Sequence, residues 1–239
     1  MAYDYKKSHE RVIDELTSKT KIEPVVNPTN NKLTYENGAR SHISAVFVDI
    51  RNSSSFIKSG KDDMIARILR AFSSELIKIM KDGPSYLQIG LRGDCVYAVY
   101  PTPKENDDEK VFTVACYINT FINMFNKVLL QNKMKEIKVG IGLGTGNDLV
   151  IKAGDNGSGI NDVIWIGDAV VDASNNCDLA NKTILKPIVM SSSFYNYIKT
   201  NPKYIKDFGT PIVNNGVTRY ACNYIISDFD KWITNGFKE

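Results

Sequence analysis

The chain has 239 residues, 43% of them hydrophobic, which is enough for one large domain with a substantial core. Its formal charge of +3, from 30 basic and 27 acidic residues, argues against a dedicated nucleic-acid-binding surface. Four cysteines without CxxC spacing and only two histidines argue against a zinc site or a disulfide framework and are typical of the reducing cytoplasm. No stretch has the length or apolar character of a signal peptide or membrane span, so we expect a soluble cytoplasmic protein.

The N-terminal segment is predicted to lie outside the main domain. Residues 8–19 form a short helix whose apolar stripe is too narrow to be stable alone, so the helix packs on the main domain or on a partner chain. The stripe consists of Val12, Ile13 and Leu16. The proline- and asparagine-rich residues 22–41 are predicted to form an extended loop. We therefore divide the chain into an N-terminal helix and loop, residues 1–40, and one globular domain, residues 41–239.

A buried strand that ends in a charged, hydroxyl-rich turn is the first candidate functional element. Six of the eight residues from 43 to 50 are apolar, which favours a strand buried on both faces. Asp49 lies at its C-terminal end, the edge of a sheet where small ligands usually bind. Because an unpaired buried carboxylate costs several kcal/mol, Asp49 is neutralised by Arg51 or a backbone amide, protonated, or bound to a metal ion.

A second acidic residue lies at the tip of a predicted β-hairpin. Residues 86–91 and 95–100 are β-rich and are joined by Arg92-Gly93-Asp94, a compact turn. A helix predicted over about residues 62–81 precedes this hairpin. Carboxylates at adjacent strand ends are the hard ligands that Mg²⁺ or Mn²⁺ takes when it is shared with substrate phosphates. Asp49 and Asp94 together therefore indicate a phosphate-handling site with two metal ions.

The remaining elements complete an α+β fold. A long helix is predicted over about residues 108–132 and a strand over 136–143, which ends in a glycine-rich segment. The order strand, helix, strand, strand, helix, strand is that of a ferredoxin-like βαββαβ palm, in which Asp49 and Asp94 can approach each other. The last third predicts a C-terminal α/β extension, with strands over 163–166, 187–190, 203–208 and 218–226 and helices over about 168–181 and from residue 191 or 192.

These motifs resemble those of class III nucleotide cyclases. Residues 47–56, Phe-Val-Asp-Ile-Arg-Asn-Ser-Ser-Ser-Phe, resemble the family's first metal-binding strand and phosphate loop, and residues 93–100 resemble its second metal-binding hairpin. Residues 138–144 are similar to its fourth strand, and residues 165–173 to the strand and helix that follow. The motifs Asp-Ile-Arg, Arg-Gly-Asp-Cys-Val-Tyr and Trp-Ile-Gly-Asp-Ala-Val look most like the bacterial pyrimidine cyclases of Pycsar anti-phage systems.

The chain departs from the purine cyclases at three positions. Where those enzymes carry the Lys or Glu that reads the base, this chain has Gly90. The Asn and Arg that those enzymes carry on the helix after Gly167 correspond to Val171 and Asn175. The resemblance therefore implies cyclisation of UTP or CTP to the 3′,5′-cyclic nucleotide. The alternatives are a divergent adenylate cyclase and a catalytically inactive nucleotide-binding sensor.

The resemblance also implies a role for each candidate residue. Asp49, Asp94 and the backbone carbonyl of Ile50 would hold two divalent cations, Mn²⁺ or Mg²⁺, for in-line attack of the ribose 3′-oxygen. Arg51 and Arg92 either bind the triphosphate or form structural salt bridges. Asn175 either contacts the ribose or lies on the helix surface. The phosphates would also be bound by the turn residues Asn52, Ser53, Ser54 and Ser55, for which turn and capping roles are the alternative.

Partners follow from the same resemblance. Class III cyclases build the active site between two catalytic domains, so we expect a homodimer with interfacial sites that takes a nucleoside triphosphate. Lys182 and Arg219 are further candidates for reaching the phosphates from the second subunit. The glycine-rich residues 153–159 are either a dimerisation arm or a flexible connector. The cyclic nucleotide would activate a separate effector, and no membrane or nucleic acid would be bound directly.

Overall fold

A computed structural model describes residues 3–29, 32–53, 61–104, 106–199 and 208–238. Within these ranges the chain forms six helices and nine strands. The helices are α1 (Tyr5–Thr17), α2 (Asp62–Asp82), α3 (Asp107–Gln131), α4 (Asp168–Leu179), α5 (Ser192–Ile198) and α6 (Ser227–Thr234). The strands are β1 (Lys21–Pro24), β2 (Asn37–Ile50), β3 (Gln88–Arg92), β4 (Cys95–Pro101), β5 (Val139–Gly154), β6 (Asn161–Ile166), β7 (Ile188–Ser191), β8 (Thr210–Asn214) and β9 (Val217–Cys222).

All nine strands belong to one sheet. Its main order is β3-β4-β2-β5-β7-β9-β8, while β1 pairs with the start of β2 and β6 with the end of β5. β2 is antiparallel to both β4 and β5, and β5 is parallel to β7. The chain order β2, α2, β3, β4, α3, β5 confirms the predicted βαββαβ palm of an α+β fold. The elements from β6 onward form the predicted C-terminal extension.

The main core lies between the sheet and helices α2, α3 and α5. Side chains alternate along β2, so that Val46, Val48 and Ile50 enter this core. Phe47 and Asp49 therefore point to the opposite face, where α4 lies. The buried stripe of α2 recurs every three or four residues and consists of Ile65, Ile68, Phe72, Leu76 and Met80.

β5 is longer than predicted because its glycines belong to the strand. The strand was expected to end at residue 143, but it continues to Gly154. A Cβ on Gly142 would lie 2.0 Å from the carbonyl oxygen of Ala173, and one on Gly144 would lie 2.3 Å from that of Ala169. These glycines therefore let α4 pack directly on the backbone of the sheet, and they do not mark a loop.

Other differences from the prediction lie at the chain ends. The loop predicted for residues 22–41 is partly wrong, since β1 pairs in parallel with Asn37–Arg40. β8 and α6 were not predicted, and the strand predicted over 203–208 lies almost entirely outside the described residues. Among the helices that the structure describes, none combines the length and the apolar character needed to span a membrane.

Candidate active site

The candidate site lies where β2 and the β3–β4 hairpin end at the same edge of the sheet. Val48 pairs with Val96, so continuation of this register places Asp49 opposite Cys95, the neighbour of Asp94 in the hairpin. Gly93 closes the hairpin with a φ of 62°, a left-handed conformation that glycine adopts readily. The carboxyl groups of Asp49 and Asp94, distant in sequence, lie close enough for the charge of Asp94 to raise the pKa of Asp49.

The negative charges of Asp49 and Asp94 repel each other. Burial raises the pKa of Asp49, the charge of Asp94 raises it further, and the Arg51 guanidinium partly offsets both. Oδ2 of Asp94 is buried and has no hydrogen-bond partner in the described part of the chain. An orphaned carboxylate oxygen beside a second carboxylate is unfavourable until a cation neutralises the pair.

Arg51 lies beneath Asp49 and is only 9% exposed. Its Nη2 donates to Asp49 Oδ2 at 2.8 Å, and its Nη1 donates to the carbonyl of Asp178 near the end of α4 at 3.1 Å. Carbonyls at a helix C-terminus lack partners within the helix, so this contact satisfies one of them. Arg51 thus links Asp49 to α4, which agrees with the salt-bridge alternative. A phosphate contact by Arg51 stays a prediction.

The donor set fits a divalent cation that completes its coordination with substrate oxygens. Mg²⁺ is commonly held by one or two carboxylates together with substrate phosphates. Over the ranges that the structure covers, no group of three or more His, Cys, Asp or Glu residues could hold a metal. Asp49 and Asp94 therefore form an open two-carboxylate cradle, and the orphaned Asp94 Oδ2 is the atom that a cation would satisfy.

The polar turn after β2 is described only in part. Asn52 has a φ of 56°, and the backbone N–H of Arg51 donates to the carbonyl of Lys138 at 2.7 Å. The turn is therefore anchored to the residue before β5. Ser54 and Ser55 lie outside the described residues. Phosphate binding by Asn52, Ser53, Ser54 and Ser55 stays a prediction, as does ligation by the Ile50 carbonyl.

A cavity of about 350 Å³ opens next to the hairpin on the α4 face of the sheet. The rings of Phe47 and Tyr97 stack in its wall with 5.1 Å between their centroids. Trp165 Nε1 donates to Gln88 Oε1 at 2.7 Å, which fixes the amide of Gln88 at the cavity. Arg92, predicted to bind phosphate, also lines this cavity. The arrangement offers aromatic surface to a flat ring and polar groups to its edge.

Tyr97 fills the space that a longer side chain at position 90 would need. Gly90 pairs with Tyr97 across the hairpin, and a Cβ on Gly90 would lie 2.3 Å from Tyr97 Cζ. Sequence reasoning noted the glycine but missed the tyrosine, and it also missed Gln88 and Trp165. The alternation along β4 was a usable signal, because it places Tyr97 on the same face as Phe47, its partner in the register.

The polar residues of α4 serve different purposes. Asn175 is exposed, so its predicted ribose contact is compatible only with a substrate that lies against this surface. Asn176 is fully buried and accepts a hydrogen bond from Arg219 Nε at 2.7 Å. Arg219 therefore braces α4 from β9, while Lys182 forms an exposed ion pair at 2.8 Å. Within one chain, neither of these two cations lies at the carboxylate pair.

The chain is similar to curated proteins named uridylate cyclase. One from Treponema porcinum is 39% identical over 238 residues, which cover 99% of this chain and 82% of the relative. One from Gulbenkiania mobilis is 35% identical over 190 residues, which cover 76% of this chain and 73% of the relative. No protein-family model matches the chain.

Solved nucleotide cyclase structures share the fold. The guanylyl cyclase Cya2 has a TM-score of 0.64 at 15% identity, with 79% of this chain and 95% of that chain covered. The adenylyl cyclase CyaB from P. aeruginosa has a TM-score of 0.61 at 17% identity, with 77% of this chain and 94% of that chain covered. At such low sequence identity the comparison bears on the fold alone. The structural similarity confirms the class III cyclase architecture expected from the motifs.

Proposed function

The chain belongs to the uridylate cyclase family of class III nucleotide cyclases, and we propose that it converts UTP, or CTP, to the 3′,5′-cyclic nucleotide and diphosphate. The observation that carries this proposal is the meeting of Asp49 and Asp94 at one sheet edge, where Asp94 Oδ2 has no partner among the described residues. Residues 41–239 would form the catalytic domain, and residues 1–40 would precede it.

The chain's own groups position the reaction. Two Mg²⁺ or Mn²⁺ ions, when bound, would activate the ribose 3′-hydroxyl and neutralise the triphosphate. Asp49, oriented by its 2.8 Å contact with Arg51, and Asp94 would hold them, and the Ile50 carbonyl is the proposed further ligand. Backbone amides of residues 52–55 would bind the terminal phosphates. Holding the 3′-oxygen in line with the α-phosphorus supplies a large part of the rate acceleration.

The size of the cavity beside the hairpin supports a pyrimidine as the base of the substrate. Its volume is about 350 Å³, and Tyr97 limits the available space because its ring lies over Gly90. Arg92 offers only hydrogen-bond donors. Uracil presents carbonyl oxygens at both of its hydrogen-bonding edges, whereas cytosine replaces one with an amino group that also donates. Arg92 at this wall would complement the O4 carbonyl of uracil, and the names of the two relatives support UTP as the substrate.

A homodimer is the proposed assembly, with residues from both chains at each site. Apolar side chains are exposed around the cavity, on β6 and α4: Ile164 by 42%, Ile166 by 48% and Val171 by 52%. Residues 153–159, predicted as an arm or a connector, include the end of β5, which forms a hairpin with β6. An exposed hairpin beside the cavity is suited to contact a second subunit.

The resemblance to the Pycsar cyclases extends the proposal to anti-phage defence. The cyclic pyrimidine nucleotide would act as a second messenger on a separate effector protein. The carboxylate pair supports an active enzyme over a nucleotide sensor, because a non-catalytic domain has no need for a pair of metal-binding carboxylates.

Turnover of each of the four nucleoside triphosphates with Mn²⁺, followed by mass spectrometry of the products, tests the proposal. We expect cyclic UMP as the main product and a loss of turnover in Asp49→Ala and in Asp94→Ala. Asp228→Asn, at a side chain of α6 that is 96% exposed, is the control and should keep normal turnover. Cyclic AMP as the main product would favour the divergent adenylate cyclase, and no product from any nucleotide would favour the sensor.

Base selection is tested by Tyr97→Ala. Loss of ring stacking should lower kcat/KM for UTP about fivefold, since such contacts contribute about 1 kcal/mol, and the enlarged cavity should raise the relative rate with ATP. Tyr86→Ala, at a 43% exposed position outside the cavity, should change neither rate. An unchanged ratio of UTP to ATP turnover in Tyr97→Ala would remove Tyr97 from base selection.

A further inference from the structure

Helix α1 exposes an apolar face that the described part of the chain leaves uncovered. No residue of α1 is buried. Four apolar side chains are exposed along it: Tyr5 by 70%, Val12 by 53%, Ile13 by 46% and Leu16 by 80%. Because a helix of 13 residues is only marginally stable in water, this face requires a packing partner.

The spacing of the exposed residues is that of a helix-pairing seam. Tyr5, His9, Val12 and Leu16 recur at intervals of four, three and four residues, the repeat of a coiled coil. The seam is also self-complementary when two copies run antiparallel. Tyr5 then lies opposite Leu16 of the partner subunit, and His9 lies opposite Val12 of the partner subunit.

The charges of α1 favour the same antiparallel arrangement. Lys6 and Lys7 make the N-terminal half basic, whereas Asp14 and Glu15 make the C-terminal half acidic. An antiparallel pair therefore brings each basic half against an acidic half, and it also opposes the two helix dipoles. A parallel pair would bring like charges together at both ends.

The position of α1 connects this seam to the proposed dimer surface. Only residues 18–20 separate α1 from β1, a span of about 10 Å. β1 pairs with the start of β2 beside the β5–β6 hairpin, and a Cβ on Gly38 would meet both Ile22 of β1 and Ile151 of β5. α1 is therefore held near the hairpin whose exposed apolar residues are proposed to contact a second copy.

We propose that α1 pairs antiparallel with α1 of a second copy across the two-fold axis of the homodimer. This inference rests on the homodimer of the proposed function. A seam of this length covers only a few hundred Å² on each chain, below the roughly 800 Å² per partner of a typical stable interface. The α1 pair thus strengthens a dimer to which the catalytic domains also contribute.

The double variant Val12→Gln/Leu16→Gln in the full chain tests the pairing. Loss of two buried apolar side chains from each copy should raise the dimer Kd about 100-fold, as measured by sedimentation equilibrium. Specific activity at protein concentrations above this Kd should match the wild type. The matched control Glu10→Gln/Arg11→Gln, at two exposed positions of α1 outside the seam, keeps the net charge and should change the dimer Kd less than threefold.

Different results separate this inference from the proposed function. A seam variant that dimerises like the wild type would refute α1 pairing while leaving the cyclase proposal intact. A wild-type chain that is monomeric and fully active at every concentration would refute the shared active site as well as the pairing.

The orientation of the pair is tested by disulfide cross-linking. A mixture of Tyr5→Cys chains and Leu16→Cys chains should form disulfides between the two variants after mild oxidation. The wild type, whose four cysteines are unpaired and not exposed, is the control for background cross-linking. A dominant disulfide between two Tyr5→Cys chains would show a parallel pair and overturn the antiparallel arrangement.

Discussion

Replacement of Asp94 by asparagine is expected to stabilise the metal-free fold while removing metal binding and turnover. The amide keeps the shape of the carboxyl group and can donate a hydrogen bond to Asp49. It also removes one of two like charges that act on each other at this edge of the sheet. Repulsion between charged groups that lowers the stability of the fold but is needed for function is common at active sites.

The size of the effect follows from Coulomb's law. Two unit charges about 4 Å apart repel by about 1 kcal/mol in bulk water and by about 4 kcal/mol at an effective dielectric constant near 20. Arg51 offsets part of this repulsion, and the Asp49 side chain is 34% exposed, so solvent screening favours the lower figure. We expect a gain of about 1 kcal/mol in the free energy of unfolding, which corresponds to a Tm about 2–4 °C higher.

Differential scanning calorimetry in EDTA, repeated with Mn²⁺, measures both halves of this prediction. Mn²⁺ at about 100 times its Kd should stabilise the wild type by about 2.7 kcal/mol and should not stabilise Asp94→Asn. Asp155→Asn, which changes an exposed carboxylate, should behave like the wild type. A lower Tm for Asp94→Asn in EDTA, or equal stabilisation of both proteins by Mn²⁺, would refute the reasoning.

The gain from Asp94→Asn should depend on pH. The pKa of Asp49 is raised above its ordinary value of 3.8, so the folded state binds this proton more tightly than the unfolded state does. Stability from this group is therefore fully present below the unfolded pKa and is lost as the pH rises through the folded pKa. The Tm difference between variant and wild type should be larger at pH 7 than at pH 4.

Two further variants test the packing behind the site. Arg51→Met should lower the free energy of unfolding by about 2–3 kcal/mol, because Asp49 and a carbonyl of α4 lose their donor; an unchanged urea midpoint would contradict this. Gly142→Ala should cost about 3 kcal/mol or more in urea unfolding, since its Cβ would lie 2.0 Å from the carbonyl oxygen of Ala173. Gly157→Ala, whose Cβ meets nothing within 4 Å, is the control and should lose only about 1 kcal/mol from its positive φ.

The palm and its carboxylate pair were predictable because they depend on local patterns. A run of apolar residues before Asp49 predicts a buried strand, and Arg92-Gly93-Asp94 predicts a tight turn. The spacing of helices between them then restricts the topology. Once the hairpin lies beside the first strand, the meeting of Asp49 and Asp94 follows without any knowledge of side-chain packing.

The features that escaped prediction depend on contacts between distant segments. The predicted strand ended too early, at residue 143, because only the docking of α4 explains why glycines such as Gly142 belong to a strand. Tyr97 could not be assigned to the space over Gly90 before the register of the hairpin was known. Arg51 could not be placed between Asp49 and α4, since nothing in the local sequence indicates where a helix more than a hundred residues later will end.

The close contact between α4 and β5 has a mechanical consequence. At Gly142 and Gly144 no side chains separate the backbone of α4 from the strand. A displacement of α4 relative to β5 therefore cannot be absorbed by rearrangement of side chains between them. A push on the outer surface of α4 by a neighbouring molecule would be transmitted almost rigidly through the Arg51 guanidinium to Asp49. In the proposed homodimer, contact of a second chain with α4 would in this way set the alignment of the acidic pair, and with it the rate of the enzyme.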